Sequence, residues 1–143
     1  MKPERKFWKS DVQPALKAIS GLQYNRIELK TGAPGIPDVT YSLDGTGWIE
    51  LKVMPTNVMY PRCIDLLNWE PEQRAWARRH RQSGAKVWLI IKVGVNVALI
   101  DPLRCYDLES VGWDNPAAVR WTTDMLNHQA SRIVLAEYLR VGP

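Results

Sequence analysis

A predicted β-hairpin between residues 35 and 53 constrains the fold and the function of this chain more than any other segment. Its arms are Val39 to Leu43 and Trp48 to Val53, separated by the turn cluster Asp44-Gly45-Thr46-Gly47. Alternation of apolar and polar residues in the first arm is typical of a half-buried strand, and Asp-Gly is a strong hairpin signal. The segment therefore predicts two neighbouring antiparallel strands.

Three ionisable residues lie at one end of this hairpin. Glu50 and Lys52 are two positions apart on the return strand, so their side chains share a face, whereas Leu51 points to the other face. Asp38 precedes the first strand and is expected to lie across from Glu50. Two carboxylates beside an ammonium group suit a Mg²⁺ ion and a phosphate. The hairpin thus predicts a metal and phosphate site, although solvated surface charges are the simpler alternative.

Pro37-Asp38 and Glu50-Leu51-Lys52 resemble the motif of the PD-(D/E)XK nuclease superfamily. Within it, the chain is similar to the VRR-NUC and Holliday-junction-resolvase-like group, particularly its small phage-encoded versions. The resemblance extends over roughly residues 4 to 100 through Glu4 ahead of Phe7-Trp8, Gly35, Trp48, and Gln73 with Trp76. It implies an α/β fold with a restriction-endonuclease-like core (α-β-β-β-α-β-β), a central mixed sheet and additional C-terminal helices.

The resemblance also implies a chemistry. Asp38 and Glu50 would hold one or two Mg²⁺ or Mn²⁺ ions, with the backbone carbonyl of Leu51 and the carboxylate of Glu4 as further ligands. Lys52 would orient the attacking water and stabilise the developing negative charge. The implied activity is that of a metal-dependent endodeoxyribonuclease, which hydrolyses DNA phosphodiester bonds, and branched DNA such as a Holliday junction or a flap is the expected substrate.

A helix is predicted from Pro71 to about Gln82, because proline suits a first helical turn and Gly84 suits the end. In the resembled family, a Gln at this point of the helix reaches the catalytic carboxylates or the scissile phosphate. Gln73 matches that Gln and is therefore expected in the catalytic site. Four cations are expected to bind the nucleic acid: Lys30, Arg62, Arg74 and Arg78.

The first helix and the first strand leave two alternatives open. Apolar spacing predicts a helix near residues 5 to 19, and Pro14 either kinks it or lies in the first turn of a helix that begins later. Only the early start would hold Glu4 near the metal site. Glu28, on a strand predicted from Tyr24 to Lys30, is the rival for the additional acidic position.

The second half of the chain predicts a buried strand followed by helices. Lys86 to Val93 is a nearly continuous apolar run, as in a central strand that is buried on both faces. Val95 to Ile100 is predicted as the next strand. Three helical segments are predicted after it: Leu103 to Leu108, Ala117 to Leu126 and Ser131 to Leu139.

Length and composition agree with one nuclease domain. The 143 residues, 45% of them hydrophobic, suit a single domain over residues 1–143, with a core of about residues 4–100 and a helical extension of about residues 101–143. A net charge of +4 suits an anionic partner. No apolar run approaches the ~20 residues of a membrane helix, and the charged N-terminus lacks the apolar stretch of a signal peptide. A cytoplasmic protein without a membrane partner is expected, including one in a phage-infected cell.

Three functional classes remain open. The first is an endonuclease specific for branched DNA, and the second is a less selective phage or restriction-like DNA nuclease. The third is a catalytically silent nucleic-acid-binding module with the same fold, against which the intact set of Asp38, Glu50 and Lys52 argues. Cutting a junction requires two cuts related by symmetry, so a junction-cutting enzyme is expected to be a homodimer.

Overall fold

The structure, a computed structural model, describes residues 2–27, 35–54, 70–105 and 118–143. Six strands in these ranges form one mixed sheet in the order of the sequence. The strands are β1 (Gln23–Arg26), β2 (Val39–Ser42), β3 (Thr46–Met54), β4 (Lys86–Val93), β5 (Asn96–Ile100) and β6 (Val119–Thr122). Neighbouring strands are antiparallel except β3 and β4, which are parallel.

Helices precede the sheet, join β3 to β4, and follow β6. The N-terminal helical segment consists of α1 (Pro3–Phe7), a π-helical stretch (Trp8–Val12) and α2 (Gln13–Lys17). The other helices are α3 (Pro71–Gln82), a 3₁₀ turn (Pro102–Cys105), α4 (Thr123–Leu126) and α5 (Gln129–Val141). None of the helices in the described ranges is long and apolar enough to cross a membrane.

The arrangement confirms the predicted α/β class. The N-terminal helical segment, the meander β1-β2-β3, the helix α3 and the pair β4-β5 follow one another in the order expected of a restriction-endonuclease-like core. Parallel neighbours need a crossover connection, and α3 lies in the chain between the parallel strands β3 and β4. The central mixed sheet and the additional C-terminal helices are likewise present.

Pro14 does not delay the start of the first helix. Proline lacks an N–H, and its ring clashes with the carbonyl four residues earlier in a regular α-helix. The wider π-helical turns of Trp8–Val12 directly precede the turn that holds Pro14. The helical segment therefore continues through this position and begins at Pro3, so Glu4 lies in its first turn. The early start is the alternative that the structure supports.

The sheet separates two hydrophobic cores. Ile49 and Leu51 of β3 pack on one face, with residues of the N-terminal helical segment and α5. Trp48 and Met54 pack on the other face, with Trp76 of α3. β4 contributes to both cores, as the sequence predicts for a strand buried on both faces. Strand alternation puts Glu50 and Lys52 on the face that α3 covers.

The helix predicted from Ala117 to Leu126 is wrong over much of its length, because its centre is strand β6 and only its end is helical, as α4. Val119 and Trp121 pair with β5, and Trp121 is buried. Arg120 lies between these two apolar residues, so the period is two, which is the period of a strand. The C-terminal part thus adds a strand to the sheet as well as helices, and α5 confirms the helix predicted from Ser131 to Leu139.

Candidate active site

The candidate active site lies where β2 begins beside β3. Val39 pairs with Ile49 across the two antiparallel strands, and this register sets Asp38 across from Glu50. Asp38 Oδ2 accepts a hydrogen bond of 2.8 Å from the backbone N–H of Leu51. Asp38 is half-buried and the Glu50 side chain is buried. The structure therefore brings together the two carboxylates of the predicted hairpin.

Gln73, in the first turn of α3, connects the two charged side chains of β3. Its Nε2 donates a hydrogen bond of 2.8 Å to Glu50 Oε1. Its Oε1 accepts hydrogen bonds from Lys52 Nζ, at 3.0 Å, and from the backbone N–H of Glu70, at 3.1 Å. Lys52 Nζ also lies 3.4 Å from Glu50 Oε1. Because the bond from Glu70 anchors the amide to the start of the helix, Gln73 orients both Glu50 and Lys52.

Gly35 allows α3 to approach the site closely. Its φ of +92° lies in the left-handed region that favours glycine. A Cβ at this position would overlap the backbone carbonyl of Glu72, in the first turn of α3. The turn that leads to Asp38 therefore packs directly against the helical turn that carries Gln73.

A cavity of about 550 Å³ opens at these side chains. It is lined by residues of the hairpin and its entry, of the end of β1 and the position after it, and of the start of the N-terminal helical segment. These residues are Ile36, Asp38, Glu50, Leu51, Lys52, Arg26, Ile27, Lys2, Glu4 and Arg5. The predicted catalytic hairpin and the N-terminal helix thus face the same space.

Burial disfavours the charged forms of the two carboxylates. Burial, followed by repulsion from Asp38, raises the pKa of Glu50 to about 8, against the opposing attraction of Lys52. Burial also raises the pKa of Asp38, against the hydrogen bond from Leu51 and the attraction of Arg26. Two neighbouring carboxylates that repel each other favour a bound positive charge, because it would relieve the repulsion.

Glu4 and Arg26 add opposite charges to the cavity. The charge of Glu4 acts on Asp38 and raises the pKa of that carboxyl group, whereas the charge of Arg26 lowers it. The Arg26 guanidinium lies 5.5 Å from the ring centroid of Trp8. Its Nη1 is buried without a hydrogen-bond partner in the described part of the chain.

Arg26 is not among the site residues predicted from the sequence. The signal that could have identified it is the alternation of the strand predicted from Tyr24 to Lys30, in which Arg26 shares a predicted face with the candidate Glu28. The structure adds the strand register, since Arg26 pairs with Val39, the residue after Asp38. The pairing of β1 with β2 therefore brings this cation to the carboxylates.

Two of the four residues predicted to bind the nucleic acid lie in the described part of the chain, and two lie outside it. Arg74 is half-buried and Arg78 is exposed, both on α3. Lys30 and Arg62 lie outside the described residues, as does Glu28, the rival of Glu4.

Asp38 and Glu50 form a donor set of the kind that Mg²⁺ uses. Mg²⁺ is usually held by one or two carboxylates and substrate phosphates, and it keeps several waters. Within residues 2–27, 35–54, 70–105 and 118–143, no group of three or more His, Cys, Asp and Glu side chains is arranged to hold a metal ion. Glu4 lines the cavity but does not complete such a group. Two carboxylates with raised pKa values, one buried and one half-buried, therefore fit a divalent ion, held partly by water and substrate.

No protein-family model matches the sequence, and no curated protein matches it. Among solved structures, the chain is similar to a Holliday junction resolvase of the archaeal hyperthermophile Archaeoglobus fulgidus. The TM-score is 0.45 and the sequence identity is 12%, over 94% of this chain and 92% of that chain. At this level of similarity, a function has to be inferred from the residues of the site.

Proposed function

We propose that this chain is a metal-dependent nuclease that hydrolyses the phosphodiester bonds of DNA. One observation carries the proposal: Asp38, directly before β2, and Glu50, on β3, line one cavity with Lys52, whose Nζ is 3.4 Å from Glu50 Oε1. The resemblance of these residues to the PD-(D/E)XK motif supports the same conclusion.

Asp38, Glu50 and the backbone carbonyl of Leu51 would hold one or two Mg²⁺ or Mn²⁺ ions, with Glu4 close by in the same cavity. A bound divalent ion supplies positive charge to the phosphate oxygens and a water of lowered pKa. Asp38 is already oriented by the N–H of Leu51, and Glu50 by the amide of Gln73. The ligands are therefore held in place by the backbone and by α3.

Two cations of the chain would act on the phosphate itself. The Lys52 ammonium, held by Gln73 and Glu50, would stabilise the negative charge that develops on the phosphate oxygens. Arg26 Nη1 would donate a charge-assisted hydrogen bond to a phosphate oxygen. Gln73 touches Glu50 and Lys52 and is therefore a positioning residue in this mechanism.

Branched DNA is the substrate class that we propose, on the resemblance of the motifs to the Holliday-junction-resolvase-like group. An enzyme that resolves a junction makes two cuts related by symmetry and is expected to be a two-fold dimer. Four of the six large hydrophobic side chains that are exposed in the described residues lie on α5: Ile133, Val134, Tyr138 and Val141. This concentration supports α5 as the face that meets a second copy of the chain.

Cleavage of a panel of labelled linear, flap, fork and four-way DNA tests the activity and the substrate class. We expect cleavage in Mg²⁺ or Mn²⁺ and none with a chelator, and we expect Asp38→Asn to abolish it. Asp124→Asn, which changes a highly exposed carboxylate on α4, is the matched control and should cut normally. Paired symmetrical cuts on four-way DNA would support junction resolution, whereas equal cutting of linear duplex would contradict the branched substrate.

Lys52→Met separates a catalytic role from DNA binding. Loss of a group that stabilises transition-state charge typically lowers kcat by about 100- to 1000-fold. The variant should keep the DNA affinity of the unaltered chain in the presence of chelator. Chelator-resistant cleavage, or full activity of both Asp38→Asn and Lys52→Met, would overturn the assignment of the site.

A further inference from the structure

The N-terminal helical segment carries a row of cations on one side. At 3.6 residues per turn, the row falls within an arc of about 100°, and Phe7 and Trp8 are buried on the other side of the helix. We call this row the N-terminal basic stripe, and its four members are all exposed: Lys2, Arg5, Lys6 and Lys9.

The cations of the N-terminal basic stripe do not pair with other groups in the described fold. Two cations elsewhere in the described residues are paired with carboxylates: Lys92 Nζ lies 3.4 Å from Asp11 Oδ2, and Arg140 Nε lies 3.0 Å from Asp44 Oδ2. No side chain of the stripe forms an ion pair or a hydrogen bond with a described residue. The stripe is thus a concentration of positive charge that does not serve the packing of this part of the chain.

The stripe begins at the candidate active site. Lys2 and Arg5 line its cavity, whereas Lys6 and Lys9 continue along the helix outside it. From Lys2 to Lys9 the helix advances about 10 Å, at 1.5 Å per residue. Phosphates of one strand of a duplex advance about 3.4 Å along the duplex axis per nucleotide, so the stripe spans about three nucleotide steps of one strand.

We propose that the N-terminal basic stripe binds the phosphodiester backbone of the DNA that leads into the cavity. The inference rests on the proposed nuclease function and adds a surface that is separate from Arg74 and Arg78 of α3. Contacts to phosphates fix the register and orientation of a protein on DNA without reading its sequence. The stripe would therefore hold the strand so that one phosphodiester linkage lies beside Asp38 and Glu50.

The double variant Lys6→Gln/Lys9→Gln tests the stripe, because neither residue lines the cavity and glutamine is a good helix former. Binding of a short labelled DNA duplex is measured by fluorescence anisotropy in chelator, over a series of salt concentrations. Log affinity falls linearly as log salt rises, and each lost phosphate contact makes this slope shallower by about 0.9. We therefore expect the slope of the double variant to be shallower by about 2. Between about 50 and about 200 mM salt, the unaltered chain should then lose about tenfold more affinity than the variant.

Lys17→Gln/Arg79→Gln is the control, since it removes the same charge from two exposed positions away from the stripe. Its salt slope should stay near that of the unaltered chain. Equal changes of the salt slope in the two double variants would show that net charge alone attracts the DNA, and they would overturn the proposal that the stripe binds it. An unchanged slope for Lys6→Gln/Lys9→Gln would overturn the proposal as well. Circular dichroism confirms that each variant is folded.

The same measurements distinguish a failure of the stripe proposal from a failure of the proposed nuclease function. If the unaltered chain cuts and binds DNA but Lys6→Gln/Lys9→Gln behaves like the control, only the stripe is wrong. If the unaltered chain neither binds the duplex nor cuts any DNA, both proposals are wrong.

Discussion

Gln73 Nε2 donates a hydrogen bond of 2.8 Å to Glu50 Oε1, and this bond joins helix α3 to strand β3 at the candidate active site. The oxygen of the same amide accepts hydrogen bonds from Lys52 Nζ and from the backbone of Glu70. One side chain therefore fixes the orientations of a proposed metal ligand and of a proposed phosphate contact. Its own orientation depends on the first turn of α3.

Gln73→Ala should lower activity without unfolding the protein. Glu50 and Lys52 would lose the group that orients them, and removal of a residue that supports a metal ligand typically costs about 10- to 100-fold in metal affinity or activity. We expect kcat to fall and the Mg²⁺ concentration for half-maximal activity to rise. Both follow from initial rates of DNA cleavage over a Mg²⁺ titration.

Gln82→Ala is the control for this change, because it removes an exposed amide at the other end of the same helix. It should keep the rate and the Mg²⁺ requirement of the unaltered chain. A Gln73→Ala protein that matches Gln82→Ala in both quantities would show that the amide does not position the site.

Gly35→Ala should displace α3 from the hairpin. The added Cβ would overlap the carbonyl of Glu72, and the positive φ adds backbone strain of about 1–3 kcal/mol. Gly84 also has a positive φ, but a Cβ there meets nothing within 4 Å, so Gly84→Ala adds strain without overlap. We expect both variants to lower the free energy of unfolding, measured in urea, and only Gly35→Ala to lower the cleavage rate. Equal rates would refute the close contact.

The hairpin and its carboxylates could be predicted from the sequence because their signals are local. Period-two alternation and an Asp-Gly turn set the two strands, and the register of a hairpin follows from its turn. The turn thus sets Asp38 across from Glu50. The family resemblance supplied Gln73, but its bonds to Glu50 and Lys52 depend on how α3 packs on the sheet.

The features that the sequence did not predict depend on pairing between strands whose register is not set by a short hairpin turn. Arg26 reaches the cavity through the pairing of β1 with β2, and β6 is a strand because it pairs with β5. In a segment as short as Val119–Thr122, periodicity alone separates strand from helix poorly. The pairing with β5 decides the conformation.

Metal binding should release protons at neutral pH. The pKa of Glu50 is raised to about 8 by burial and by Asp38, so at pH 7 the metal-free protein holds a proton that a bound cation must displace. The apparent Mg²⁺ affinity should therefore rise as pH increases from 6 to about 8 and level off above that value. Calorimetric titrations of Mg²⁺ in buffers of different ionisation enthalpy measure the protons released.

The pH dependence of the free energy of unfolding without metal gives an independent measure of the raised pKa of Glu50. The pKa of Glu50 is higher in the folded than in the unfolded chain. The stabilisation that Glu50 adds to the free energy of unfolding is therefore present in full below about pH 4.5 and is lost as pH rises through about 8. Glu50→Gln should remove this part of the pH dependence of the free energy of unfolding, measured in chelator. An identical pH dependence in both proteins would contradict the raised pKa.

A single charge on α5 should dissociate the proposed homodimer. Ile133 is 63% exposed in the described fold, and it lies on the helix that also exposes Val134, Tyr138 and Val141. If a second copy covers this face, Ile133→Glu would bury an unpaired carboxylate in an apolar contact, and the protein should become monomeric in size-exclusion chromatography with light scattering. Val95→Glu alters a residue of similar exposure, 64%, in the turn between β4 and β5. That control should remain a dimer, and a dimeric Ile133→Glu protein would exclude α5 as the interface.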